Sequence, residues 1–373
     1  MRDRISRGGR GSQPGFDELR ELCTAADDKR SLAIGMAGLV TARQMNGHLR
    51  EASHLATELV GLLESIGDPT LTVALFFAAI VAKFENGEMT EVLRWAQRVI
   101  DLAEGDPTKG VLIMGSPLAI AIAMRGVARW CLGIEGWKDD FDEAIAMALA
   151  SGDSTIRAGA TWLTHITAIP YGVLLPDATL LRDTAETLAI AEQSGNDLAL
   201  DLARSVRGIT LLYQDGPQRE AGVDLLATIR ERILNGRFSL TSVPIVDIHV
   251  AREKARLGDL DNAIELARTV IDGLFDSGGC IWTALATSVL VEALVQRGGD
   301  GDLAEGQAAI DRLAAIPTDP GFVLNEITLL RLRALLARAH GNDTAYRDYR
   351  DRYRDMARTL GFEGHIEWAE AMP

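Results

Sequence analysis

Aromatic residues are scarce in this sequence, at 5% of 373 positions, although apolar residues of all kinds reach 47%. Strands draw on β-branched and aromatic side chains, so a core made mostly of Ala and Leu argues against a large sheet and for helices. Cysteine is scarce too. Cys23, Cys131 and Cys280 are odd in number and far apart. They fit neither a disulfide framework nor a zinc cluster, and they point to a reducing, cytoplasmic setting. Positive charge falls short of negative, with 38 Lys and Arg against 53 Asp and Glu and a net charge of −15. Such an acidic chain repels phosphate backbones, which excludes nucleic acid as its general partner. Long apolar runs are missing as well. The longest, Leu71–Ala82 and Val111–Met124, the second broken by Pro117, fall short of the roughly 18 residues that span a membrane. Residues 1–16 are basic and Gly-rich without the apolar segment of a secretory signal. Residues 1–18 are expected to form a disordered tail, and residues 19–373 a single repeat array.

Catalytic signatures are also lacking. No G-x-x-x-x-G-K-S/T phosphate loop occurs, and Asp106-Pro107-Thr108-Lys109-Gly110 has the wrong order and reads as a loop. H-E-x-x-H, G-x-S-x-G and metal-suited Cys spacings are missing too. The expectation is no catalytic residue, no metal and no cofactor. The six histidines are scattered. His48 and His54, six apart, do not share a helix face well. His165 and His249 read as core or groove residues, and His365 as structural. The acids Asp139-Asp140 and Asp142-Glu143 open an expected helix, where negative charge complements the helix dipole.

What the chain does have is regular punctuation. Asn46-Gly47, Asn86-Gly87, Gly133 to Gly136, Tyr171 to Asp177, Asp215-Gly216, Gly258-Asp259, Gly299 to Asp302 and Gly341-Asn342 form one series. A second series alternates with it, from Gly67-Asp68-Pro69 and Gly105-Asp106-Pro107 through Ser151-Gly152-Asp153 to Gly361. Each recurs about every 40 residues, a period that signals stacked helical hairpins. The first helix of each hairpin (A) is nearly apolar all round, as in Leu71–Ala82, and the second (B) is amphipathic, as in the stripe Leu55, Leu59, Leu62, Leu63 and Ile66. Ser116-Pro117 reads as an N-cap followed by Pro at the first helical position. In the sixth hairpin, Gly258 ends one helix, Asp259 can cap the next, and Ala263 and Ala267 offer a small face to a neighbour. Gly, then Ala five and nine residues later, resembles the middle of a tetratricopeptide repeat. Gly47, with Ala52 and Ala56, repeats it, and other hairpins keep it only in part. The resemblance implies an all-α fold: a right-handed α-solenoid of about eight such hairpins.

Charge divides between the helices. The expected A helices carry more Lys and Arg than acid, and the B helices the reverse. In right-handed hairpin solenoids the A helices line the concave face. A neutral-to-basic groove inside an acidic protein then suits a small anionic ligand or an acidic protein segment. The candidate contacts are Arg125, Arg129, Arg204, Arg207, Arg252 and Arg256, on the third, fifth and sixth A helices. Guanidinium groups bind carboxylate or phosphate bidentately. The alternative is that these arginines pair with neighbouring acids such as Asp201 or Glu253 and only hold the array together.

The ending Tyr353-Arg354-Asp355-Met356-Ala357-Arg358-Thr359-Leu360-Gly361-Phe362-Glu363-Gly364-His365-Ile366-Glu367-Trp368-Ala369-Glu370-Ala371-Met372-Pro373 resembles the C-terminus of large actinobacterial, especially mycobacterial, regulators. Those combine a class III adenylate/guanylate cyclase domain, an AAA/STAND-type ATPase and a tetratricopeptide-like array. Related regulators end in a LuxR-type helix-turn-helix. The resemblance implies a signal-transducing role, with a cyclase or ATPase module as a possible partner. This chain lacks the phosphate loop, a cyclase domain and a DNA-binding module, so no catalytic role carries over to any residue. The reading is a non-enzymatic cytoplasmic interaction or sensor module, free-standing or part of a larger regulator, with no membrane partner. Two alternatives stand beside it: a cyclase or ATPase subunit, and a pure oligomerisation scaffold.

Overall fold

The computed structural model describes residues 16–373, apart from Asp17, Leu19, Arg20, Thr24, residues 112–114 and Asp215. Most of the expected tail, three residues of the second apolar run and half of the fifth turn therefore lie outside the described residues. Helical conformation is already present at Phe16, whose ring is buried.

The described chain is all-helical, with no strand among the described residues. Eight hairpins follow one another: α1 (Lys29–Met45) and α2 (Leu49–Ile66); α3 (Pro69–Glu85) and α4 (Met89–Ala103); α5 (Pro117–Cys131) and α6 (Trp137–Ala150); α7 (Ser154–His165) and α8 (Ala178–Ser194); α9 (Asp197–Leu212) and α10 (Gln218–Leu234); α11 (Val243–Arg256) and α12 (Leu260–Ser277); α13 (Thr283–Arg297) and α14 (Asp302–Ala314); α15 (Val323–Ala339) and α16 (Asp343–Leu360). A short helix, α17 (Glu363–Glu370), follows. Consecutive helices pack against each other, as in a helical-repeat solenoid.

The punctuation works as the physics of helix ends requires. Asp68, Ser116, Asp153 and Asn196 each accept a backbone N–H from the first turn of an A helix. Pro69 and Pro117 occupy first-turn positions. Gly258 adopts φ +86°, as its turn demands. Asp259 departs from expectation. Its carboxylate makes no capping bond to a backbone N–H and instead binds Lys254 Nζ at 2.9 Å and the first-turn side chain of Asn262 at 2.7 Å. A salt bridge to the preceding helix takes the place of the cap. Ala263 and Ala267 are fully buried, as their place on a close helix contact implies.

The array also touches itself at long range. Arg50, at the start of α2, donates to the carbonyls of Phe275 and Asp276, at the end of α12. Cys280 N, ahead of α13, donates to Glu85 O at the end of α3. Thr90 N of α4 donates to Asp319, ahead of α15. Trp130 of α5 packs edge-on against Phe362, and Lys138 of α6 pairs with Glu363. Gly364 N and His365 N of α17 both donate to Gly172 O, in the turn of the fourth hairpin. Hairpin one meets six, two meets seven and the loop ahead of eight, three meets both eight and the start of α17, and four meets α17, which occupies the place of a ninth A helix. The backbones come so close that a Cβ on Gly364 would lie 2.8 Å from Gly172 Cα, and one on Gly133 2.8 Å from Val323 Cγ1. A 3-10 turn (Leu240–Ser242) between α10 and α11 touches α1. One apolar cluster runs from Phe16 to Met372. In it α3, α5 and α13 are buried on nearly every side, which explains why the A helices read as apolar all round.

Candidate functional site

The six arginines do not converge on one open groove. Arg125 and Arg129 clasp the same carboxylate. Asp140 Oδ1 accepts from Arg125 Nε and Nη2 at 3.0 and 2.6 Å, and Asp140 Oδ2 from Arg129 Nη1 at 2.8 Å. Asp140 is thus more than a helix-dipole acid: it is 2% exposed and joins α6 to α5. Arg207 Nη1 donates to Leu181 O at 2.6 Å and Thr184 Oγ1 at 3.1 Å, tying α9 to α8. Arg256 pairs with Glu253 at 2.8 Å, and Glu253 also takes Arg219 of α10. Asp201 pairs with Arg232 at 2.5 Å rather than with Arg204, which is partly buried and makes no hydrogen bond or ion pair among the described residues. Arg252 stacks over the Tyr213 ring at 4.3 Å.

Only Arg252 of the six reaches the centre of the superhelix. There a pocket is framed by Arg252 of α11, Glu292 of α13, Arg331 of α15, and His365 and Trp368 of α17. Arg331 pairs with Glu292 at 2.6 Å and lies over the Trp368 ring at 5.0 Å. Burial works to raise the Glu292 carboxyl, but Arg331 and Arg252 together hold it below its ordinary value. Tyr171 spans the axis, donating its hydroxyl to Ile281 O and accepting from Leu285 N at 3.2 Å. The accessible space among these residues is about 30 Å³, small beside that of a ligand pocket. At this point α11, α13 and α15 meet Tyr171 and α17.

A larger concavity lies over α7. In most hairpins the A–B turn is a few residues, but in the fourth it runs over residues 166–177. The segment leaves α7 early, because α7 has 12 residues where the other A helices have 14 to 17. It then passes inward to meet α17 at Gly172 and Val173. Beside this segment, between α6 and α8, lies a cleft of about 530 Å³. Its floor is α7, with Arg157, Thr161 and His165. Its walls are Trp137, Phe141 and Asp142 of α6, and Leu180, Asp183 and Glu186 of α8. Trp137 and Phe141 meet edge to face at 5.6 Å, and the Phe141 ring lies 6.4 Å from that of His165.

The sequence singles out His165 but not its neighbours. The available signal is the length of the Tyr171-to-Asp177 turn, which breaks the two- to five-residue pattern. Among the described residues no group of three or more His, Cys, Asp or Glu is placed to hold a metal ion, and no helix is long and apolar enough to cross a membrane. The cysteines are free thiols, and burial pushes that of Cys131 well up. No protein-family model matches the chain, and no curated protein matches it.

Proposed function

We propose that the chain is a non-enzymatic, tetratricopeptide-like right-handed solenoid that works as a ligand- or partner-sensing module in the cytoplasm. Its place would be that of the array in the cyclase and ATPase regulators its C-terminal segment resembles. One observation carries this reading: a large cleft sits where the repeat departs from its own pattern. A volume of about 530 Å³ falls within the roughly 300–1,000 Å³ of small-molecule sites. Its lining mixes aromatic walls with a few converging polar groups, as such sites do. The surrounding array supplies a rigid frame, and the turn beside the cleft also holds α17. Occupancy could therefore be felt at the C-terminal end of the array, where an effector would be attached or docked.

The test is a fragment screen by ligand-observed NMR on the full chain and on Leu180→Trp, whose indole would fill the cleft. A set of fragments that bind the parent and are lost in the variant, with unchanged circular dichroism, supports the reading. An identical set in both proteins, or no binder in either, rejects it. ATP or GTP turnover that follows the chain through purification would favour the enzymatic alternative.

A further inference from the structure

We infer that the cleft over α7 takes a small organic cation, a protonated amine or amidine carried on an aromatic or branched aliphatic body. The inference rests on the reading of the cleft as a ligand site and names the class of ligand.

The lining has two cations, and both already have partners. Lys138 Nζ sits 2.8 Å from Glu363 Oε1. Arg157 pairs with Glu186 at 3.1 Å and donates to Thr187 Oγ1 at 3.1 Å. What remains is negative or lone-paired. Asp142, exposed on α6, has no ion pair or hydrogen bond among the described residues. Asp183, half-exposed on α8, has only the neighbouring, exposed Arg182 at 3.3 Å.

His165 supplies the third acceptor. The residue is 8% exposed. Its Nδ1 lies 3.0 Å from Thr161 O and 2.7 Å from Thr164 Oγ1. A carbonyl oxygen can only accept, so Nδ1 carries the hydrogen. The Thr164 hydroxyl gives its own hydrogen to Ala160 O at 2.8 Å, so it too accepts from Nδ1. Nε2 is therefore a bare lone pair, with no partner among the described residues. Burial keeps the ring neutral, with its pKa lowered to about 4. His165 lines the cleft, so this lone pair can accept an N–H from a ligand.

The walls suit the same ligand. Ring faces attract cations, and the Trp137 face already draws one, Lys138 Nζ at 5.2 Å. Leu174 and Leu180 supply aliphatic surface for the rest of the molecule. An anion entering the cleft would meet two carboxylates without strong partners and a lone pair.

Three indoles of nearly equal size provide the test: tryptamine, tryptophol and indole-3-propionate, which are cationic, neutral and anionic at pH 7. They are titrated into the full chain by calorimetry at low ionic strength. Tryptamine should bind, tryptophol should bind at least about tenfold more weakly, and indole-3-propionate should not bind. The tryptamine affinity should fall as salt rises. Asp142→Asn and Asp183→Asn remove charge from exposed positions, so both variants should keep the parent melting temperature. Each should weaken tryptamine several-fold, and Leu180→Trp should abolish binding. If all three indoles bind alike and Leu180→Trp removes all three, the cleft is a binding site and the cationic class is overturned. Tryptamine binding that survives both Asn substitutions overturns it as well. If no indole binds, or if Leu180→Trp leaves binding intact, the cleft reading falls and the inference falls with it.

Discussion

Glu85 lies at the junction of the two halves, 3% exposed, with no hydrogen bond to its Oε2 among the described residues. Burial raises its pKa from 4.5 to about 8, and the indole of Trp282 beside it offsets this only slightly. Between these values the folded protein holds a proton that the unfolded chain has lost. Its contribution is therefore complete below about pH 4.5 and declines as pH rises through 8, by at most about 1.4 kcal/mol per unit. Three histidines set the acid limb. Burial lowers His165 and His249 from 6.5 to about 4 and His365 to about 3. All three are neutral when folded and protonate first in the unfolded chain, so stability drops as pH falls from 6.5 toward 4. Urea unfolding across pH should thus show a maximum near neutrality. Glu85→Gln should flatten the alkaline limb and steepen the acid limb, which the Glu85 titration opposes above pH 4.5; an alkaline limb unchanged in the variant would mean that Glu85 is ionised in the fold. None of this is legible in the sequence. Glu85 precedes the turn Asn86-Gly87, where an acid reads as solvated, and it is buried only because Cys280 and Trp282 arrive from nearly two hundred residues away.

At the scale of the helix, the third hairpin hangs on one carboxylate. Asp140 joins α6 to α5 through Arg125 and Arg129, whose side chains are 14% and 27% exposed. Removing one partner of a buried ion pair strands the others and typically costs about 3–5 kcal/mol. Asp140→Ala should therefore lower the denaturation midpoint strongly, whereas Asp139→Ala, one residue earlier on the exposed face, should leave it nearly unchanged. Arg207→Ala should also lower the melting temperature, because it frees Leu181 O and Thr184 Oγ1 on α8. The hairpins themselves were readable. Their limits follow Gly, Asn, Asp and Pro, whose backbone and capping chemistry acts within a few residues. Asp348 and Arg352, four apart on α16, meet at 3.4 Å as their spacing implies. The same local reasoning gave a helix-dipole role to Asp140 and a capping role to Asp259. In both cases a cation on the neighbouring helix, invisible to local pattern, took the carboxylate. The cleft escaped notice for a similar reason: a long turn declares itself in sequence, but where it goes does not.

Across the whole molecule, the contact between each hairpin and the one five further on decides the shape. Its glycines look like ordinary turn glycines. Gly258 and Gly341 have open space where a Cβ would stand, while Gly87, Gly133 and Gly172 would strike Cys280, Val323 and Trp368. Gly364 is the cleanest probe, since it is helical and its substitution adds no left-handed strain. Gly364→Ala must push α17 from Gly172, at a cost of about 1–3 kcal/mol. Hydrogen exchange should then quicken over residues 169–175 as well as in α17, and a change confined to α17 would mean that the contact contributes little. The seam has a mechanical consequence too. An open array pulled from its ends should release one hairpin at a time, in similar steps, because each unit holds only its neighbours. Here the first hairpin is tied to the sixth, and the fourth to the last helix. Tension applied at the termini loads several of these ties in shear before any one helix can peel away. In an optical trap the first rupture should stand well above those that follow and release a length of many hairpins at once, after which the freed coil should give way in small, even steps.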